Sequence, residues 1–166
     1  MKIKLFPPVN LKWPISSPFG MRKDPHSGEE KMHNGIDFAV PVGNPVRAMA
    51  DGRAFICGWQ DPHDHDKGFG MRIWQICDIH GEEYYLWYGH LGAILPQVKA
   101  GFEIKRGQLL AESGDSGSST GPHLHVQVRK VNTNEFYDME FNEQEKQNER
   151  RQKARREGDR RNDWNG

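Results

Sequence analysis

Short strand-like segments separated by turn residues fill most of the chain between residues 36 and 130. Each segment is a brief apolar or alternating run, and Gly, Pro, Asn or Asp separates it from the next. The segments read GIDFAV, VRAMA, RAFICGW, MRIWQI, YYLWY and HLHVQV. This pattern is typical of antiparallel sheets. We therefore predict an all-β fold, a compact and mostly antiparallel β-sheet domain.

The composition divides the 166 residues into three predicted segments. Residues 1–14 are an N-terminal lead that packs against the domain, residues 15–137 are the domain, and residues 138–166 are a charged tail. After about Phe141 almost no apolar residue remains, so the tail cannot bury a core. We expect it to be solvated and partly helical or disordered, with pairs such as Glu149 and Lys153 favouring helix.

Charge and hydropathy limit the classes of partner. The chain has 23 basic and 23 acidic side chains, so no overall field attracts nucleic acid or an acidic membrane surface. No run approaches the roughly 18–20 apolar residues of a membrane span. The first residues lack the apolar core and cleavage site of a secretory signal. We expect a protein made in soluble form, by default a monomer, with no nucleic-acid or membrane partner.

The segment SSTGPHLHVQV, residues 118–128, places two histidines one residue apart in a predicted strand. Because successive strand side chains point to opposite faces, His123 and His125 share one face. The opposite face carries leucine and valine side chains and is the obvious core side. Two imidazoles on an open face commonly begin a metal site, since imidazole is a good ligand for zinc and similar ions.

Further ligands are suggested by MHNGIDFAV, in which His33 and Asp37 lie four residues apart. Side chains at this spacing share a face in a strand or in a helix. With a histidine of the HLH segment they make three protein ligands of mixed type. Catalytic zinc sites use three such ligands and keep a fourth position open, whereas structural zinc more often has four Cys or His ligands in closed pairs.

The chain resembles the lysostaphin/LytM-type zinc endopeptidases, which cut peptide bonds in bacterial peptidoglycan. HNGID at 33–37, YGHL at 88–91 and STGPHLHVQV at 119–128 are similar to the three signature segments of that family. The segments between them also follow the family's order, over roughly residues 15–130. The resemblance implies an active-site groove that crosses a β-sheet and is walled by loops.

Carried over to this sequence, the resemblance assigns His33, Asp37 and His125 as ligands of Zn²⁺. It assigns His90 and His123 to the catalytic step, which gives the two neighbouring histidines of the HLH segment different roles. Without the resemblance, His90 is a lone histidine at the end of an aromatic run and is more often an ordinary structural residue. How the proton-transfer roles divide between His90 and His123 stays open.

Other polar residues have both a functional and an ordinary interpretation. Arg22, Ser118 and Thr120 are candidate substrate-binding residues, and Ser119 between the last two could also line the cleft. A structural salt bridge is an equally good explanation of Arg22. The stretch DPHDHDKG, residues 61–68, is rich in potential ligands, but it has the character of a solvated loop, so we expect it to be a rim and not the functional metal site.

The leading functional hypothesis is a zinc-dependent endopeptidase that hydrolyses peptide bonds in the stem or cross-bridge of peptidoglycan. The alternative is a non-catalytic cell-wall-binding or structural module on the same fold. Every expected ligand and both catalytic histidines are present, which favours the enzyme. Without a recognisable signal, we expect action on the cell wall after release or as part of a virion, as in a phage-encoded lysin.

Overall fold

Thirteen β-strands make up the regular structure of residues 1–142, the part of the chain that this computed structural model describes. The strands are β1 (Lys2–Leu5), β2 (Ile15–Ser17), β3 (Gly20–Lys23), β4 (Glu30–His33), β5 (Gly35–Phe38), β6 (Pro45–Arg47), β7 (Gly52–Trp59), β8 (Met71–Ile79), β9 (Glu82–Ile94), β10 (Glu103–Ile104), β11 (Leu109–Ser113), β12 (Leu124–Lys130) and β13 (Phe136–Phe141). The prediction of an all-β fold is confirmed.

One curled sheet contains eleven of these strands, and β3 with β4 forms a separate hairpin. The main path through the sheet runs β1, β13, β12, β9, β8, β7, β10, and β5 also pairs with β12. Within the described residues, the pairing of β1 with β13 is parallel and the other strand pairs are antiparallel. Strand β12 therefore lies between β9 and β5, where it can carry side chains into a site shared by both neighbours.

Strand β12 shows why the sheet has one apolar and one polar face at this point. Leu124, Val126 and Val128 are fully buried in the hydrophobic core, as their alternation predicts. His125 and Gln127 point to the opposite face and are also buried, so that face is covered as well. Burying polar side chains costs free energy unless they form hydrogen bonds, so both residues need polar partners on this face.

The core encloses a hydrogen-bonded tyrosine. Tyr88 is fully buried, donates from its hydroxyl to Gln75 Oε1 at 2.7 Å and accepts from the main-chain N–H of Met49 at 2.8 Å. Gln75 in turn donates to the carbonyl of Ala50 at 2.6 Å. This network ties strands β8 and β9 to the turn that follows β6.

Replacement of Tyr88 by phenylalanine removes one oxygen atom and leaves two buried groups, Met49 N–H and Gln75 Oε1, without this partner. We expect the free energy of unfolding to fall by about 1–3 kcal/mol. Urea denaturation followed by tryptophan fluorescence measures it. Tyr137→Phe is the matched control, because that hydroxyl contacts only the exposed Glu135 carboxylate, and its effect should stay within about 0.5 kcal/mol. Equal stabilities of the two variants would contradict the role given to the network.

Both ends of the described chain join the sheet. Strand β1 pairs with β13, and its Ile3 and Leu5 side chains are buried in the core. Residues 138–141, predicted to begin the tail, form the second half of β13 because they supply main-chain partners to β1. Glu149 and Lys153, the pair expected to favour helix, lie outside the described residues. The three-segment division stays a prediction.

No helix in the described part of the chain has the length and hydropathy needed to cross a membrane.

Candidate active site

Two neighbouring strands and the end of a hairpin bring together the predicted metal ligands. Asp37 on β5 and His125 on β12 are register partners in the antiparallel ladder, and His33 is the last residue of β4. Between them, Gly35 allows close approach, since a Cβ there would clash with the carbonyl oxygen of Val126 and lie 2.6 Å from the His125 ring. The glycine in HNGID is thus required by the packing of β5 on β12.

Three potential ligand atoms face one another in this arrangement. His33 Nε2 lies 3.2 Å from His125 Nδ1 and 3.4 Å from Asp37 Oδ2, and His125 Nδ1 lies 2.8 Å from Asp37 Oδ1. All three residues are buried, with less than a tenth of their surface exposed. Within residues 1–142 they are the group of three or more His, Cys, Asp or Glu side chains placed to hold a metal ion. The structure therefore assembles the predicted ligand set.

The other nitrogen of each imidazole has its own partner. His33 Nδ1 donates to the carbonyl of Pro18 at 2.9 Å, and His125 Nε2 donates to Gln127 Oε1 at 2.9 Å. These hydrogen bonds assign the ring proton to Nδ1 of His33 and to Nε2 of His125. The unprotonated nitrogens, His33 Nε2 and His125 Nδ1, then point their lone pairs towards the carboxylate of Asp37. Lone pairs so close together repel one another unless a positive charge lies among them. These three ligand atoms therefore suit a bound cation.

The carboxyl group of Asp37 is ionised despite its burial. Burial by itself would raise its pKa, but the neighbouring imidazoles of His125 and His33 outweigh that effect and lower the pKa below its usual range. The guanidinium of Arg22 also places a positive charge nearby, with Nη2 3.8 Å from Asp37 Oδ2. The site thus contains a fixed negative charge at neutral pH.

His90 stands beside the three candidate ligands in an unusual backbone conformation. Its φ is +59°, a region that non-glycine residues seldom occupy, and its main-chain N–H donates to the carbonyl of Phe69 at 2.7 Å. Its Nδ1 donates to the carbonyl of Ser116 at 2.7 Å. Burial, together with the nearby His123, lowers the pKa of His90 to about 4, so the imidazole is neutral at neutral pH.

His123 lies next to His90, with 4.4 Å between the two ring centroids. Its Nδ1 donates to the carbonyl of Gly121 at 2.8 Å, and its Nε2 lies 3.9 Å from Asp37 Oδ1. Among the described residues, no hydrogen bond involves Nε2 of either His90 or His123. Each imidazole therefore has one nitrogen held by the main chain and one available to a substrate.

A single cleft of about 620 Å³ contains all eight residues that the sequence nominated. They are Arg22, His33, Asp37, His90, Ser118, Thr120, His123 and His125. Besides lining the cleft, Arg22 makes the ion pair with Asp37 that was the alternative explanation of this residue. Ser118 Oγ lies 3.4 Å from His26 Nε2, which also lines the cleft. The contacts are compatible with substrate binding by Arg22, Ser118 and Thr120, which stays a prediction.

The loop at 61–68 lies outside the three-ligand group. Asp61 and Asp64 accept hydrogen bonds from nearby main-chain N–H groups or form ion pairs with Lys67, and the His65 ring stacks on Trp59 at 3.5 Å. The loop borders the site through its main chain, since the carbonyl of His65 accepts from Gly117 N–H.

Phe69, which follows that loop, was not nominated from the sequence. Its ring centroid lies 5.2 Å from that of His125 and 5.9 Å from that of His90, and its carbonyl accepts the His90 N–H. A Cβ at Gly89 would approach the Phe69 ring to 2.9 Å, so this glycine makes room for the aromatic side chain. The sequence signal was slight, an aromatic residue between Gly68 and Gly70.

Known peptidases are similar in sequence to most of this chain. ShyA, a peptidoglycan DD-endopeptidase of Vibrio cholerae, is 38% identical over 122 residues, which are 73% of this chain and 26% of ShyA. Lysostaphin of Staphylococcus simulans is 36% identical over 102 residues, 61% of this chain and 19% of lysostaphin. The chain thus spans about a quarter or less of the length of these curated relatives.

A solved structure of the catalytic domain of lysostaphin from Staphylococcus simulans is also similar. It superimposes with a TM-score of 0.63 at 32% identity, over 76% of this chain and 89% of that domain. Residues 31–139, which include the three candidate ligands and both further histidines, match Peptidase family M23. This match covers more than half of the sequence, and the buried His, Asp and His group lies within it. The chain belongs to peptidase family M23.

Proposed function

We propose that the protein is a zinc-dependent endopeptidase that hydrolyses peptide bonds in the stem or cross-bridge of bacterial peptidoglycan. The observation that carries the proposal is the convergence of His33 Nε2, Asp37 and His125 Nδ1 in a cleft beside His90 and His123. Family membership supports a metallopeptidase. The peptidoglycan substrate is supported by the activity named for the related ShyA.

Zinc fits the three ligand atoms of this site. Two imidazole nitrogens and one carboxylate oxygen are ligands that catalytic zinc sites use, with a further position open to water or substrate. When bound, zinc would polarise the scissile carbonyl and lower the pKa of a water molecule towards neutrality. The ionised Asp37 contributes the negative charge that partly balances the cation.

The chain's own histidines would carry the protons. Nε2 of the neutral His90 imidazole has no hydrogen-bond partner among the described residues, so its lone pair is free to accept a proton from the attacking water. His123 lies 4.4 Å away, measured between ring centroids, and its Nε2 also has no hydrogen-bond partner among the described residues. Between them these two groups can take a proton from the attacking water, stabilise the developing oxyanion and protonate the leaving amine. Arg22, Ser118 and Thr120 would hold the peptide along the cleft.

Gln127 should support the metal through His125. Its Oε1 accepts from His125 Nε2 at 2.9 Å and so turns Nδ1 towards the other ligands. We expect Gln127→Ala to weaken zinc binding about 10- to 100-fold, because partners that orient a ligating histidine contribute that much. Competition with a fluorescent chelator measures the affinity. Gln108→Ala, where the amide contacts only an exposed main-chain N–H, should bind zinc as the parent does; the same affinity in the Gln127 variant would refute the assignment.

Digestion of purified cell walls tests the proposal. Sacculi from several bacteria are incubated with the zinc-loaded protein, with and without a chelator, and the released fragments are identified by mass spectrometry. We expect chelator-sensitive release with a new amine at one defined peptide bond. That bond also distinguishes a glycine cross-bridge from a direct link between stem peptides. Zinc binding without release from any wall would instead favour the non-catalytic binding or structural module.

The place of action and the partners belong to the same proposal. The protein would act as a monomer on the cell wall, after release from the producing cell or as part of a virion. Zero net charge gives it no overall attraction to nucleic acid or anionic membranes.

A further inference from the structure

We propose that Ser119 and Asp115 are positioning residues that hold the imidazole of His123 for the reaction. The inference rests on the proposed function, in which His123 is a catalytic group. Ser119 lies in the cleft, whereas Asp115 is exposed at its edge. Neither residue contacts the three metal ligands. Their contribution would be to fix where the Nε2 atom of His123 points.

The hydroxyl of Ser119 lies at the centre of a local hydrogen-bond network. Its Oγ is 2.6 Å from Asp115 Oδ1, 3.2 Å from His123 Nδ1 and 2.8 Å from the carbonyl oxygen of Gly121. The N–H of Gly121 also points to this oxygen, at 3.3 Å. A hydroxyl has a single proton, and the shortest contact places it on the line to the Asp115 carboxylate.

With its proton given to Asp115, Ser119 Oγ has lone pairs left for donors. The Nδ1–H of His123 is then shared between this oxygen at 3.2 Å and the carbonyl of Gly121 at 2.8 Å. Because Ser119 also accepts from Gly121 N–H, it fixes the turn that carries this carbonyl. A hydrogen bond to a carboxylate is stronger than one to a neutral acceptor, so Asp115 orients the hydroxyl of Ser119.

His123 depends on such support more than His90 does. His123 precedes strand β12 and is joined to the sheet by an isolated bridge to Gly114, so no continuous ladder fixes its backbone. Its side chain keeps 18% of its surface exposed. His90, by contrast, lies inside β9 and is held by the main-chain carbonyls of Phe69 and Ser116.

Steady-state kinetics on the zinc-loaded full chain give the first test. In Ser119→Ala we expect kcat to fall about tenfold while KM and zinc affinity change less than about twofold, because the loss concerns orientation during the reaction and not binding. Ser119→Thr keeps the hydroxyl and should restore at least half of kcat. Asp115→Asn keeps an acceptor oxygen and should lose less activity than Asp115→Ala. An unchanged kcat in Ser119→Ala, or a loss explained by KM or zinc affinity, would overturn the proposal.

Nuclear magnetic resonance of the imidazole protons provides a readout that needs no turnover. In the parent protein the Nδ1–H signal of His123 should be sharp and slow to exchange, because two acceptors hold it. It should broaden or vanish in Ser119→Ala, return in Ser119→Thr, and stay unchanged in the control Thr133→Ala, whose hydroxyl contacts only Glu135. An identical His123 signal in Ser119→Ala would overturn the proposal. Failure of the parent protein to cut any wall, with the expected signals present, would instead count against the proposed peptidase activity.

Discussion

Replacement of His125 by alanine should leave a folded protein that no longer retains zinc and has no measurable turnover. His125 supplies one of the three converging ligand atoms, and its Nδ1 lies 3.2 Å from His33 Nε2 and 2.8 Å from Asp37 Oδ1. Removing it leaves two ligands, so the loss in affinity should exceed the roughly 100-fold effect of losing a partner that only orients a ligand. Metal content after dialysis, measured by atomic emission, gives the result.

Two controls separate loss of the site from loss of the fold. His63→Ala changes a histidine of the exposed 61–68 loop and should retain one zinc and full activity. Circular dichroism of His125→Ala should keep the strand spectrum, since the core side of β12 is formed by Leu124 and Val126. Retained zinc and turnover in His125→Ala, or loss of zinc in His63→Ala, would show that the metal centre lies elsewhere.

Replacement of His90 or His123 by alanine should spare the metal and remove turnover. Neither imidazole belongs to the three-atom group, yet each keeps Nε2 without a hydrogen-bond partner among the described residues. A positioned acid or base contributes about 10²- to 10⁴-fold to a rate, so kcat should fall by that factor in each variant. Activity on a defined wall peptide and zinc content are measured on the same samples.

The double variant of His90 and His123 shows whether the two imidazoles act as a unit. If they share one proton-transfer sequence, the double variant should lose little more than the worse single variant, because residues that act together are not additive. If the fold-loss of kcat in the double variant equals the product of the two single-variant losses, the two imidazoles contribute independently. Loss of zinc in either single variant would contradict the separation of ligands from catalytic histidines.

The fold could be predicted because alternation along the strands is a local property. Side chains of β12 alternate between the two faces of the sheet, as the sequence predicts. The core face carries Leu124, Val126 and Val128, and the opposite face carries His125 and Gln127. The end of β13 was harder to predict. The strand continues to Phe141 because β1, from the other end of the chain, pairs with it, and a pairing over that separation leaves no local pattern.

The candidate site could be predicted as a set of residue types, and its supporting contacts could not. The resemblance named His33, Asp37 and His125, whose potential ligand atoms the structure brings within 4.8 Å of one another. It gave no indication of Phe69, whose ring reaches two histidines from a loop between β7 and β8. The partners that orient the imidazoles, such as Gln127 Oε1, become visible only when the side chains are placed.

Anomalous diffraction from crystals of the zinc-loaded protein, recorded on both sides of the zinc absorption edge, tests the metal centre most directly. We expect one strong peak at about 2.0–2.2 Å from His33 Nε2, an Asp37 carboxylate oxygen and His125 Nδ1, with no peak at the 61–68 loop. A peak at that loop alone, or none at the three residues in crystals shown to contain zinc, would contradict the assignment of the metal centre to these residues.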